Sequence, residues 1–446
     1  MGIINVKGTH DVIGGEAENY AYVENLMSQI ASFYAFRPVR PPVLEHTELF
    51  VRGVGEASDV VRKEMYTFDD KGGRSLTLRP EFTAGIMRLL VQNKLLPVNE
   101  LPLKMYYCGP VFRYERPQLG RYRQFNQFGV ESVGHNSPYA DAEVIALAYT
   151  ILQSLGLENV TIKINTLGDD ASRNAYRTAL KDFFKDKIAN MCEDCKMRYE
   201  INPLRILDCK VPEDQEIVKG APKMSEFLSE ESQKRFSLVL DSLKELEIPY
   251  EVDDTLVRGL DYYSETVFEF HYVSKQGNNY GAIGAGGHYD KLVAEIGGPD
   301  APGVGFSFGI ERIVSVLSDD GLLEDSNMKL DAYVMPIGLE SQKYALLIAD
   351  EMRLLGYRVD MCFDDVKLGN MFKRAEKKGA KLAVIVGEEE IKNEQVIIKD
   401  LASKEQIVVD FDNLEEKCDE LLANCCCGKH EKECCEGEEC CCKKGE

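Results

Sequence analysis

Four stretches of this chain read as β-strands, yet they carry arginine, glutamate and glutamine where a sheet should be apolar. They are TLRPEFTAG (77–85), FRYERPQLGRYRQFNQFGVE (112–131), VRGLDYYSETVFEF (257–270) and GVGFSFGIERI (303–313). A guanidinium or carboxylate on an inward strand face costs several kcal/mol unless it is paired. One such stretch fits an ion-pair network inside a sheet. Four together point to a site rather than to a structural network.

The surrounding organisation supports an α+β chain of more than one domain, since 446 residues exceed the roughly 100–200 of a single domain. Residues 16–36 space Val23, Leu26, Met27, Ile30, Phe33 and Tyr34 as one helix face. Pro38, Pro41 and Pro42 then impose an extended path. Short strand runs follow from 64 to 133, including the alternating QFNQFGVES (124–132). Ser137 as N-cap, Pro138 in the first turn and Gly156 at the stop predict a helix over 137–156. VTIKINTLG (160–168) reads as a strand, and 265–273, 280–286 and 303–308 as further strands. Between 169 and 250 a Lys-, Asp-, Glu- and Met-rich helical pattern interrupts them, so it is expected as an insertion within a domain spanning 1–325. After a polar stretch, strands and helices alternate over 329–423, which predicts a separate α/β unit. Residues 424–446 are low-complexity Cys, Glu, Lys and Gly, a composition expected to be disordered.

Composition narrows the function classes. With 44% hydrophobic and 29% charged residues the chain is globular. No apolar run nears the ~20 residues of a membrane helix. The first residues lack a basic stretch followed by an apolar block, so no secretory leader and a cytoplasmic location are expected. A net charge of −22, taken alone, argues against nucleic acid, DNA or RNA, as a partner. Two basic islands, 112–123 and 367–381, keep a nucleic-acid partner in view against the plainer reading of solvated faces.

The 14 cysteines are unevenly spread. Cys192, Cys195 and Cys209 form C-x2-C-x13-C, a candidate soft-metal set lacking the fourth ligand a structural zinc needs. Three packed, reduced thiols is the competing reading. Cys425, Cys426, Cys427, Cys434, Cys435, Cys440, Cys441 and Cys442 form three thiol clusters near the end, where soft metal or a neutral extension both fit.

The arginines suit polyphosphate, because guanidinium forks bind its oxygens and stabilise charge that builds during transfer. No GxxxxGK[ST] is present, and GAIGAGGHYD (281–290) does not fit GxGxxG. Its glycines predict a tight strand turn lining a pocket.

These segments resemble motifs 2 and 3 of class II aminoacyl-tRNA synthetases. With KGTHD (7–11), RPPVLEHTELF (40–50), RGLDYY (258–263) and AGGHYDKL (285–292), the chain to about residue 423 resembles the bacterial histidyl-tRNA synthetase family. The resemblance implies an antiparallel catalytic sheet with a helical insertion, followed by an α/β anticodon-binding domain. It implies ATP with Mg2+, L-histidine and tRNA(His) as the molecules handled, and a homodimer through the motif 1 region around Pro42. Arg113 and Arg258 resemble the catalytic arginines at the α-phosphate. Glu115, Arg121, Phe125 and Arg312 resemble the other ATP contacts. Glu81, Thr83 and Gln127 resemble residues that hold the α-amino group, and Glu131 and Tyr263 those that meet the imidazole, with Tyr262 supporting the wall. Gln118 and Arg123 are the tRNA acceptor-end candidates. His288 departs from the arginine common at that place in the family, which leaves its part in substrate contact open. A non-catalytic, synthetase-like regulatory subunit of histidine biosynthesis is the rival, although such paralogues lose the C-terminal domain and active-site residues.

Overall fold

The computed structural model describes residues 3–55, 58–96, 101–116, 120–323 and 329–423. The chain divides into two units, Met1–Glu324 and Asp325–Glu446.

The first unit is organised by an eight-stranded sheet. The strands of this unit in chain order are β1 (Arg37–Pro38), β2 (Leu44–His46), β3 (Tyr66–Asp69), β4 (Ser75–Leu78), β5 (Leu103–Phe112), β6 (Gln124–Val133), β7 (Val160–Thr166), β8 (Tyr250–Val252), β9 (Ser264–Val273), β10 (Asn279–Tyr289) and β11 (Gly303–Gly309). The large sheet runs β1-β5-β6-β11-β10-β9-β7-β8, and β2-β4-β3 form a small sheet beside it. All pairings from β5 to β7 across the large sheet are antiparallel; only the edge strands β1 and β8 add in parallel.

Alternation along β6 assigns the two faces. Phe128 and Val130 join the core under helices Gly15–Phe33, Pro138–Ser154 and Ile310–Asp319, while Phe125, Gln127 and Glu131 face the opposite way. The first helix buries Val23, Met27 and Ile30 as its spacing requires, and stops at Phe33 because Ala35 turns to φ +63°. The Ser137 hydroxyl accepts the Tyr139 N–H at 3.3 Å, and Pro138 opens the helix it caps. GAIGAGGHYD is not a turn. It lies within and just beyond β10, an interior strand whose glycines leave room for side chains arriving from its neighbours.

The helical segment has two allegiances. Helices Asp170–Phe184, Glu193–Ile201 and Pro212–Val218 surround a small core of their own, including Tyr176, Leu180, Phe184 and Cys195. Helix Glu230–Glu245 instead places Val239 and Leu243 in the main core.

The second unit is an α/β sheet of β12 (Ala332–Pro336), β13 (Val359–Met361), β14 (Leu382–Val386), β15 (Gln395–Asp400) and β16 (Gln406–Asp410), ordered β13-β12-β14-β15-β16. The first three are parallel and the last two antiparallel. Every residue of β14 is buried, as a strand covered on both faces must be. The helix of the basic island 367–381 spans Leu368–Lys377, ending before Gly379, which turns to φ +65°. Three cations of the basic island are paired: Arg374 with Asp364 at 2.6 Å, Lys381 with Asp331 at 3.1 Å, and Lys378 with Asp360. Among the described residues no helix is long and apolar enough to cross a membrane.

Candidate active site

A cavity of about 450 Å³ opens on the polar face of the large sheet. It collects residues from all four charged segments: Glu81 and Thr83; Arg113, Glu115, Arg121, Phe125, Gln127 and Glu131; Arg258, Tyr262 and Tyr263; and Arg312. Tertiary structure thus brings together groups up to 231 residues apart in the chain (Glu81 to Arg312).

The deep end is organised around Glu131. Its Oε1 accepts the Thr83 hydroxyl at 2.7 Å and its Oε2 accepts the Tyr289 hydroxyl at 2.8 Å. Burial pushes this carboxyl up to about 8, although both hydroxyls pull the other way. The floor beside it is backbone: Gly305 pairs with Glu131 on β6 and with Gly287 on β10. A Cβ on Gly305 would sit 2.1 Å from Glu131 Oε2, and one on Gly287 would sit 2.8 Å from the Tyr263 ring. Glycine is the side chain that clears this space.

Glu81 has a second duty. Its two oxygens accept the Thr83 N–H at 2.6 Å and the Ala84 N–H at 3.0 Å, so it satisfies open donors at the start of helix Thr83–Gln92. Burial raises its pKa and these N–H bonds oppose the rise. Each oxygen retains a lone pair.

The cationic rim comes from different strands. The Arg113 guanidinium lies 5.4 Å from the Phe125 ring centroid and its Nε donates to the Pro80 carbonyl at 2.8 Å. Glu115 lies between Arg113 and Arg121, at 3.9 Å and 3.6 Å. Arg312 donates to the Ala282 carbonyl at 2.5 Å. Its pKa is lowered, first by burial and then by the like charge of Arg121, so the rim favours an anion. Burial works against the charge of Arg258, but the Glu269 carboxylate it pairs with outweighs that and holds the guanidinium above its ordinary range. Arg258 Nε is buried without a hydrogen-bond partner among the described residues.

Several lining residues were not singled out by sequence reasoning: Tyr107, Tyr289, Glu64 and Glu311. Glu311 accepts the Asn126 N–H through both oxygens, at 2.8 and 3.0 Å, and burial raises it to about 7. The sequence signal was present for Glu311, beside Arg312 in GIERI, and for Tyr289, beside His288.

Other expected residues lie elsewhere. Arg123 does not line the cavity; its guanidinium lies 3.9 Å from the Tyr114 ring centroid and donates to the Lys7 carbonyl at 3.4 Å. Gln118 falls outside the described residues, as do Cys425, Cys426, Cys427, Cys434, Cys435, Cys440, Cys441 and Cys442. His288 points away from the cavity. Its Nδ1 lies 2.9 Å from Asp141 Oδ1 and 3.1 Å from Arg235 Nη2, and its Nε2 lies 3.1 Å from Asp290 Oδ1. Cys192, Cys195 and Cys209 do come together, with Asp214 beside them.

An antiparallel sheet flooring a cavity, with arginines from motif 2 and motif 3 at its rim, and a separate α/β unit following it in the chain, is the architecture of a class II aminoacyl-tRNA synthetase. The family model for histidyl-tRNA synthetase matches residues 8–313, and that for the anticodon binding domain matches 331–421. The chain belongs to the histidyl-tRNA synthetase family. It is 44% identical over 420 residues to the histidine–tRNA ligase of Geobacillus sp. (strain WCH70), covering 94% of this chain and 99% of that one. It is 44% identical over 415 residues to that of Bacillus subtilis (strain 168), covering 92% and 97%. The crystal structure of apo S. aureus histidyl-tRNA synthetase superposes with a TM-score of 0.80 at 35% identity, covering 93% of this chain and 99% of that one.

Proposed function

We infer that the chain is a histidine–tRNA ligase: it joins L-histidine to AMP from ATP, then passes the histidyl group to the 3′ end of tRNA(His). The observation that carries the substrate reading is Glu131, a buried carboxyl raised to about 8, held by two hydroxyls and opening on the cavity with no cation paired to it among the described residues.

In the first step the histidine carboxylate attacks the α-phosphorus, the bond to the β-phosphate oxygen breaks and diphosphate leaves. Arg113 and Arg258 neutralise charge at the α-phosphate; Arg121 and Arg312 meet the remaining phosphates, and Phe125 supports the adenine. Glu81, Thr83 and Gln127 hold the ammonium. Glu131 and Tyr263 pair the imidazole nitrogens, with Tyr262 behind them, so an amino acid without those nitrogens leaves buried polar groups unpaired. In the second step a hydroxyl of the terminal adenosine attacks the acyl carbon and AMP departs. Mg2+ bound to the triphosphate supplies charge neutralisation. Glu64, Glu115 and Glu311 line the same cavity and would offer carboxylate oxygens, the donor type a hard cation takes.

Residues 1–325 form the catalytic domain, interrupted by the helical insertion at 169–250, and 329–423 the anticodon-binding domain. The protein works in the cytoplasm as a homodimer through the region around Pro42. The match of 331–421 to an anticodon binding domain and the 44% identity to histidine–tRNA ligases favour the ligase over the regulatory subunit. ATP–diphosphate exchange with each amino acid in turn is the test. Exchange should depend on histidine; exchange with another amino acid instead, or with none, refutes the reading.

A further inference from the structure

The small helical core holds a cluster that the ligase reaction does not use. Cys192 precedes helix Glu193–Ile201 as its N-cap, Cys195 lies in its first turn, Cys209 follows the short turn Pro203–Asp208, and Asp214 lies in helix Pro212–Val218. The three sulfurs and a carboxylate oxygen all lie within 4.8 Å of one another. Cys192 Sγ is 3.8 Å from Cys209 Sγ, and Cys209 Sγ is 3.2 Å from Asp214 Oδ2.

These separations have a natural explanation. Zinc bonds of about 2.3 Å to sulfur and 2.0–2.2 Å to oxygen give tetrahedral edges of about 3.8 Å between sulfurs and about 3.5 Å from sulfur to oxygen. Asp214 places a fourth donor atom beside the three sulfurs, the one that C-x2-C-x13-C lacked. It is 2% exposed, and among the described residues it has no ion-pair partner; its polar neighbours are thiols and the Cys192 N–H, at 3.1 Å. A buried carboxylate is ordinarily paired with a cation or bound to a metal. The N–H bond also orients the carboxylate, as outer contacts of metal ligands do.

We infer that Cys192, Cys195, Cys209 and Asp214 form a closed, structural binding site for a soft divalent cation of the zinc type. The site is structural because all four donors come from the protein and three of them are buried. The cation would tie together three short helical segments and bracket Pro203–Asp208, from which Arg205 and Asp208 line the active-site cavity.

The test counts zinc in the full-length protein, purified with reductant and dialysed against a competing chelator. The C-terminal thiols are the same in every variant, so differences belong to this cluster. The parent should retain one equivalent more than Cys195→Ser or Asp214→Asn. Asp214→Cys, which restores a four-ligand set, should keep that equivalent. Stripping the parent with a stronger chelator should lower its Tm by several degrees, and zinc should restore it, while folded Asp214→Asn shows no such response. Equal zinc in the parent and folded Asp214→Asn overturns the inference. If the loss variants do not fold, a folded Asp214→Cys without the extra equivalent overturns it instead.

Discussion

His288 and Tyr289 are consecutive residues of β10, and they serve opposite faces of the same sheet. His288 enters a closed network with Asp141, Asp290 and Arg235, in which each acid meets a base. Burial works against its charge, but Asp141 outweighs burial and holds the imidazole at about 9; Asp290 is correspondingly held at about 2. Tyr289 instead donates to Glu131, which has hydroxyl partners and no base, and which burial leaves at about 8. One face has settled its charges internally. The other holds arginines in ion pairs around an open cavity, Arg258 with Glu269 and Arg113 and Arg121 with Glu115, while Glu131 has hydroxyl partners alone among the described residues, an arrangement expected of a preorganised site.

The largest expected effect comes from breaking the closed side. His288→Gln leaves Asp141 to Arg235 alone and removes the His288 partner of Asp290, a loss of up to about 3–5 kcal/mol on the scale of a broken buried pair. Tm at pH 7 should fall on the order of 10 °C, while histidine-dependent exchange at 25 °C shifts less than about threefold. Because the folded pKa lies above the ordinary 6.5, this stability is complete below pH 6.5 and is lost as pH rises through about 9. The variant should lack that slope in a Tm–pH series. A large exchange defect with unchanged Tm would place His288 in the site after all.

Next is Arg258 on the open side. Arg258→Ala should lower adenylate formation at least ~100-fold, the scale of losing a charge partner in the transition state. It also strands Glu269, so Arg258→Met with Glu269→Gln provides the control that removes both charges. That pair should recover Tm but not rapid-quench adenylation; recovery of both would make Arg258 structural.

Glu131→Gln should reduce kcat/KM for histidine roughly 10–100-fold, the cost of losing a hydrogen bond to a charged group, and leave the KM for ATP nearly unchanged. Stability moves the other way. A folded pKa of about 8, above the ordinary 4.5, means the parent loses stability as pH rises from 4.5 through 8. The variant should therefore melt higher than the parent at pH 9. A lower Tm there would mean that Glu131 is as fully compensated as Asp141.

The smallest effect on exchange is expected from removing 329–446, less than about threefold, with aminoacylation of full-length tRNA clearly weakened. Equal charging by the folded truncated protein would exclude the second unit from tRNA recognition.

Local signals carried much of the fold. Ser137 and Pro138 announced their helix, the alternation of QFNQFGVES separated Glu131 from Val130, and the second unit's strands follow its apolar runs. What stayed hidden depended on distant partners. Tyr289 is recognisable as part of the site only once Glu131, 158 residues away, lies beside it. Asp214 is one acid among 75 acidic residues until Cys192 and Cys209 fold around it. The direction of His288 follows from its pairing with Val304, whose side chain joins the helix-covered core.

The pairing of β10 with β11 runs unbroken from Gly284 to Tyr289. Side chains along such a ladder obey parity, so losing one residue between Gly284 and Gly287 would swap the two that follow. The imidazole would turn into the cavity and the phenol into the helix layer, damaging both faces with a single codon. Removing two residues would shorten the strand but preserve the assignment. In drifting sequences, length changes here should therefore be filtered by evenness before they are filtered by chemistry.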